Sequence, residues 1–242
     1  MGAASVGEAG MVRACAGKFA LWAHYLLDDA KQNCYVSYIM TKSLVLCMTA
    51  GLAALSATAL GEEVRQLPAP VVTGGMPLME AIDARQSERF YDPDKAIDDQ
   101  TLSDILWVAW GANKHGKRTI ATARNKQNMG LYLLTPTGTW RYDGMQNRLT
   151  KVNEKNLIPL CAQQPFVNDA PVQLLYTAVD DKWGKCHVGS AYQNVYLYAT
   201  SKGLGTVIRG LIDNEALTRE LGLMNGERAM LHQTVGHISE EE

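Results

Sequence analysis

The chain has 242 residues, of which 47% are hydrophobic and 20% charged, with a formal net charge of −2. That balance excludes a disordered or fibrous chain, and mixed charge at a pI near 6.2 leaves no basic footprint for general nucleic-acid binding. Five cysteines are too few for a disulfide scaffold, and no C-x-x-C spacing marks structural zinc. The one long uncharged apolar run, Ser43 to Leu60, excludes a polytopic membrane protein.

Met40-Thr41-Lys42 gives that run a short basic start, and Ala57-Thr58-Ala59 supplies a small-x-small site behind it. This is the pattern of a secretory signal peptide cleaved after Ala59. The alternative is an uncleaved anchor, for which the run is just long enough although rich in Ala, Ser and Thr. Residues 40–59 are therefore expected to be a signal peptide or anchor. Residues 1–39 are an unassigned leader, expected to lie upstream of a true start at Met40. Cleavage implies an exported or periplasmic protein; otherwise it is membrane-anchored or cytoplasmic. Of the cysteines, only Cys161 and Cys186 fall in the remaining body, where they either pair in an oxidising compartment or stay as free thiols.

Residues 60–76 read as an extended arm, with Pro and Gly concentrated between Leu67 and Gly75. Pro77 suits the first turn of a helix reaching about Gln86, with Leu78, Met79 and Ile82 on its apolar side. Asp92-Pro93-Asp94 breaks the chain. Asp98 or Asp99 caps a second helix through Leu102, Ile105, Leu106, Ala109 and Trp110. Gly111 to Lys126 is a polar, basic loop. Met129 to Thr135 is an apolar strand, and Thr139 to Asp143 with Arg148 to Val152 form a hairpin around Gly144. Val172 to Val179 is a second buried strand. Val188, Ala191, Tyr192, Val195 and Ala199 mark a long helix ended by Gly203. Gly205 to Gly210 is a short strand or turn, Glu215 to Leu221 a short helix, and Met230 to Val235 the last strand. Uneven alternation with an internal hairpin indicates α+β or mixed α/β architecture rather than a regular doubly wound sheet.

Most catalytic signatures are absent: no G-x-S-x-G, H-E-x-x-H, P-loop or G-x-G-x-x-G occurs. The five histidines show no ligand spacing for a metal. Three segments remain. Arg85-Gln86-Ser87-Glu88-Arg89-Phe90 sets two guanidiniums around a hydroxyl at a helix end, a compact anion clamp suited to phosphate; the plain alternative is a solvated helix end with Glu88 pairing a neighbour. Thr122-Ala123-Arg124-Asn125-Lys126-Gln127 carries amides able to read the polar edge of a flat heterocycle, or is an ordinary polar loop. Gly203-Leu204-Gly205-Thr206-Val207-Ile208-Arg209-Gly210 lets backbone approach a ligand, or is a helix cap and tight turn.

In this order and at these distances the three segments resemble the FMN-dependent nitroreductase family, over about residues 77 to 238. The family's R-x-S-x-R/K is met by Arg85, Ser87 and Arg89, with Phe90, Tyr91 and Asp92 continuing the match. Its S-x-x-N-x-Q is met by Asn125 and Gln127, without the usual serines and following proline. Its G-x-x-x-x-I-E-G is met by Gly203 to Gly210, with Arg209 where an acid often sits. Its late V/T-x-G-Y-P is met by Thr234 to Ile238, with His237 for the common Tyr. The stretch Gln193 to Leu197 followed by Gly203 to Thr206 looks most like the branch that includes the azoline oxidases.

The resemblance implies an α+β three-layer sandwich for residues 77–242, with a central, mostly antiparallel mixed sheet flanked by helices. It also implies a homodimer binding FMN at the interface through both chains. Arg85, Gln86, Ser87 and Arg89 would hold the phosphate and ribityl end; Asn125 and Gln127 would reach the ring or ribityl chain. Arg209 and Gly210 would lie by the ring, a backbone N–H donating to N5. No side chain need act as acid or base, because flavin N5 carries the chemistry. The implied cycle is ping-pong, from NAD(P)H or another donor to a flat acceptor such as a nitroaromatic or quinone. The alternatives are a dehydrogenase or oxidase of an organic substrate, and a flavin-binding protein without turnover. Neither nucleic acid nor a stable membrane partner is expected. Many relatives carry a base after G-Y-P that completes the phosphate site, whereas this chain ends Ser239-Glu240-Glu241-Glu242.

Overall fold

A computed structural model describes residues 62–239. The leader and the signal or anchor segment lie outside the described residues. Among those described, no helix is long and apolar enough to cross a membrane.

The elements are β1 (Val64–Gln66), α1 (Leu78–Ala84), α2 (Asp99–Trp110), β2 (Met129–Thr135), β3 (Gly138–Asp143), β4 (Arg148–Asn153), β5 (Val172–Val179), α3 (Lys182–Ser201), β6 (Leu204–Arg209), α4 (Asn214–Glu220) and β7 (Glu227–His237). The strands form one 7-stranded sheet in the order β1-β4-β3-β2-β5-β7-β6. The mostly antiparallel sheet expected is present, and every pairing in it is antiparallel.

Both faces of the sheet are covered, which is why β2 and β5 read as continuous apolar runs rather than as alternating ones. Successive side chains of a strand point to opposite faces. Leu131 and Leu133 therefore join Leu174, Tyr176 and Ala178 under α2 and α3. Tyr132, Leu134 and Leu175 face the other way, against Leu217 of α4 and the segment holding Leu157 and Cys161. Ile105, Leu106, Leu131, Leu174 and Leu175 have no exposed surface, and each such side chain contributes about 1.5–3 kcal/mol by its removal from water.

Helix starts follow local chemistry. Asp98 accepts from Thr101 N–H at 2.6 Å, Asp181 from Gly184 N–H at 2.6 Å, and Asp213 from Ala216 N–H at 2.9 Å. The Asp181 cap starts α3 at Lys182, six residues before the expected first apolar position. Gly203, at φ +68°, takes the left-handed turn that stops it. Strand β7 is longer than expected because it is paired on both sides, by β5 and β6. The arm contains β1, a three-residue edge strand too short to leave a hydropathy signal. Residues 68–71 of the arm are docked on α2: Ser103 Oγ donates to Pro68 O at 2.6 Å, and Val71 N–H donates to the buried Asp104 carboxylate at 2.8 Å.

One expectation changes sense. Leu78, Met79 and Ile82 do form an apolar side of α1, but it points to solvent, and only Ala81 of this helix is buried. The two body cysteines are free thiols, Cys161 buried and Cys186 exposed. Among the described residues no three His, Cys, Asp or Glu side chains converge on a point.

Candidate functional site

Residues 85–92 leave α1 and run along the open edge of the sheet. Glu88 N–H donates to Thr206 O of β6 at 3.0 Å, and Asp92 N–H to His237 O of β7 at 2.9 Å. The approach requires Gly205: a Cβ there would sit 2.7 Å from Glu88 Cγ and 3.0 Å from Glu88 Cβ. Tyr196 of α3 ties the segment from behind. Its hydroxyl lies 2.9 Å from Ser87 Oγ and accepts from Ile208 N–H at 3.1 Å, and its ring carries the Arg85 guanidinium at 5.1 Å.

Glu88 does not pair with an arginine. Its carboxylate accepts from the backbone N–H groups of Arg89 and Phe90, at 2.8 and 3.0 Å. Among the described residues neither Arg85 nor Arg89 has a carboxylate partner. The Glu88 pairing expected of a solvated helix end is therefore absent, and two guanidiniums and a positioned hydroxyl stand together on one turn. Gln86 is exposed between them.

Asn125 and Gln127 sit elsewhere, on a loop ahead of β2. Arg124, Asn125 and Gln127 are all left-handed, at φ 52°, 54° and 45°. Gln127 is engaged inside the loop: its Oε1 accepts from Arg118 Nε at 2.8 Å and its Nε2 donates to Asn125 Oδ1 at 3.1 Å. Arg118 is fixed in turn over the Trp110 ring at 4.5 Å and by donation to Trp110 O at 2.9 Å. Gln127 thus orients the exposed Asn125 through its side-chain oxygen.

This loop and the arginine segment are not adjacent within one chain. The loop is held from α3 by His187 and the arginine segment by Tyr196. Nine residues of helix separate these anchors by about 13–14 Å.

Arg209 behaves unlike the rest of its segment. Its guanidinium is buried on the α4 face of the sheet. It donates to Cys161 O at 2.7 Å, Gln164 Oε1 at 2.9 Å and Leu211 O at 3.1 Å, and lies 3.3 Å from His232 Nδ1. Its partners are neutral, and the side chain is fully committed within the chain, so only the backbone at Arg209 and the exposed Gly210 is left for a ligand. Burial pushes the Cys161 thiol up to about 12, which keeps it protonated and unreactive despite this neighbour.

Sequence reasoning missed the residues that hold the site segments: Tyr196, His187, Arg118 and Gly205. Tyr196, His187 and Gly205 act through contacts distant in sequence and Arg118 through Gln127 nine residues on; Tyr196 and Gly205 lay inside stretches already singled out.

The protein belongs to the nitroreductase family, whose model matches residues 82–237. A crystal structure from Ralstonia eutropha JMP134, described as that of a nitroreductase, is 31% identical with a TM-score of 0.68, over 76% of this chain and 94% of that one. A Methanocaldococcus jannaschii protein named for nitroreductase activity is 28% identical over 137 residues, 47% of this chain and 69% of that protein. NfrA2 of B. megaterium, at 21% identity and a TM-score of 0.51 over 68% of each chain, shares the fold. The chain is an oxidoreductase of nitroreductase type.

Proposed function

We propose that this oxidoreductase uses FMN, held between two copies of the chain, to move electrons from a nicotinamide donor to a flat acceptor such as a nitroaromatic or quinone. The observation that carries the reading is the pair of guanidiniums of Arg85 and Arg89, without carboxylate partners among the described residues, set around a Ser87 hydroxyl that Tyr196 fixes at 2.9 Å. Two planar cationic forks and a hydroxyl on one exposed turn match a phosphate and the first hydroxyls of a ribityl chain. Arg85 and Arg89 would take the phosphate and Ser87 the ribityl end, with Gln86 at the rim. Asn125 would offer its amide N–H2 to the carbonyl edge of the ring. Gly210, after the edge strand β6, would bring backbone close to the ring. Bound FMN would supply two-electron transfer through its N5.

Two observations support a site shared by two chains. The arginine segment and the Asn125 loop hang from opposite ends of one stretch of α3, so a second copy can bring its loop to the first copy's arginines. The outward faces are also apolar: Leu78 is 64%, Met79 73% and Phe90 70% exposed. Side chains of this size at such exposure mark an association surface.

The test is anaerobic reduction followed by acceptor. Protein-bound flavin should bleach on addition of NADH or NADPH and recover its oxidised absorbance when a quinone or nitroaromatic is added, with product formed in step. Bound flavin that no nicotinamide bleaches, but that an organic substrate does, would reassign the protein to the dehydrogenase class. Bound flavin that nothing cycles would make it a flavin-binding protein without turnover.

A further inference from the structure

We propose that His187, through its unprotonated Nε2, positions the loop of residues 122–128 that carries Asn125 and Gln127, and that protonation of the ring releases this loop.

The loop needs holding. Arg124, Asn125 and Gln127 occupy left-handed backbone at φ 52°, 54° and 45°, none of them a glycine. Such backbone is disfavoured for residues with a Cβ, so the loop persists only if its surroundings enforce it. Its internal bonds, Asn125 N–H to Thr122 O at 3.2 Å and Lys126 N–H to Ala123 O at 3.1 Å, shape the turn but do not attach it to the body. Arg118 Nε donating to Gln127 Oε1 at 2.8 Å and Val179 N–H donating to Asn128 O at 3.1 Å hold its last part; the attachment of its first part comes from α3. Ala123 N–H donates to His187 Nε2 at 2.8 Å, and His187 Nδ1 lies 2.7 Å from Asn128 Oδ1. One ring thus bridges the first and last parts of the loop.

The two contacts fix the tautomer. Nε2 accepts, so Nδ1 carries the proton and donates to Asn128. An imidazolium has two donors and no acceptor. Protonation would set Nε2–H against Ala123 N–H, donor against donor, at a residue only 2% exposed. The charged groups facing the ring oppose one another: Asp181, the N-cap of α3, favours the imidazolium, while Lys126 on the loop disfavours it. Burial is the largest influence and acts with Lys126, holding the ring below its ordinary value. The neutral form therefore closes the loop at and above neutral pH. The clamp begins to weaken below the ordinary histidine value of about 6.5 and is lost as pH falls through the lower value of the closed state.

Hydrogen exchange of the full chain without cofactor tests this directly, reading the peptide that spans Ala123 to Asn128 between about pH 5 and pH 8, corrected for the intrinsic pH dependence of exchange. Wild-type protection at Ala123 should fall as pH drops below about 6.5. His187→Ala should exchange there about tenfold faster already at pH 7.5, the scale of one lost bond to a buried group. His187→Gln, whose Oε1 can accept from Ala123, should keep the loop closed at pH 7.5 and lose the pH dependence. Protection that ignores both acidification and His187→Ala would overturn the proposal. If the alanine variant does not fold, the wild-type titration and the glutamine variant decide alone.

The consequence for cofactor affinity rests on the flavin reading above, and parallel FMN titrations separate the two. Loosening accompanied by weaker FMN binding supports both. Loosening with unchanged FMN affinity supports the clamp and removes Asn125 from the flavin site. Unchanged exchange overturns the clamp whatever FMN does.

Discussion

The hydroxyl of Tyr196 lies 2.9 Å from Ser87 Oγ, joining residues 109 positions apart in the chain. The same oxygen accepts from Ile208 N–H, on the outer edge of β6, which has no neighbouring strand. One side chain therefore couples the turn after α1, the helix α3 and the last strand of the sheet. Tyr196→Phe keeps the ring under Arg85 but removes both bonds, leaving a backbone donor without its acceptor. Stability should fall by about 1–2 kcal/mol, read from urea or guanidinium denaturation. No change would mean that water replaces the hydroxyl at no cost.

Arg85→Ala should weaken FMN binding by on the order of 2–3 kcal/mol, the scale of a charge-assisted contact, in a fluorescence-quenching titration. Its effect on stability should stay near the 0.5–1 kcal/mol scale of an exposed cation–π contact, because the side-chain contact given up among the described residues is the stack on Tyr196. Equal FMN affinity in the variant would remove the arginine segment from the site.

Much of this was legible before any coordinates. The apolar runs Met129–Thr135 and Val172–Val179 are strands because both sheet faces are covered, and the aspartate before α2 announces that helix. The R-x-S-x-R spacing offered two readings from residue types alone, an anion clamp and a solvated helix end, and the clamp belongs to the proposal above. What could not be read is whatever depends on contacts between distant segments. Glu88 capping backbone rather than an arginine, Tyr196 reaching Ser87, and His187 bridging Ala123 and Asn128 leave no local pattern. Arg209 shows the same limit from the other side. Its position in a glycine-flanked segment suggested a ligand contact, but β6 pairs with β7 so that Arg209 sits opposite His232, and both side chains enter the interior.

Gly205→Ala tests the close approach at the sheet edge. The new methyl would lie 3.0 Å from Glu88 Cβ and 3.1 Å from Ile238 Cγ1, so the 85–92 segment must move outward. A loss of about 1–3 kcal/mol in stability is expected, the cost of overpacking. FMN affinity should fall with it, since the displaced segment carries both arginines. Retained affinity would show that the clamp tolerates the shift.

Acid should unfold the protein partly through His232. This ring is fully buried and its Nε2 has no partner among the described residues, while Nδ1 is 3.3 Å from the Arg209 guanidinium. Burial, with the nearby Arg209 charge, pushes it down to about 3. The neutral ring is the folded form, so its contribution is complete above the ordinary value of about 6.5 and is lost as pH falls toward 3. His187, also lowered, adds to the acid-side loss. Denaturation midpoints measured from pH 7 to pH 4 should fall steadily, and His232→Gln should flatten that slope. An unchanged slope would place the acid sensitivity elsewhere.

The most direct test of the central claim is the absorption spectrum of the purified protein, with any released cofactor identified by chromatography. The account predicts a yellow protein with flavin bands and close to one FMN per chain, recoverable by reconstitution if some is lost in purification. A colourless protein that takes up no FMN at saturating concentration would contradict it, and would leave Arg85 and Arg89 as the solvated end of a helix.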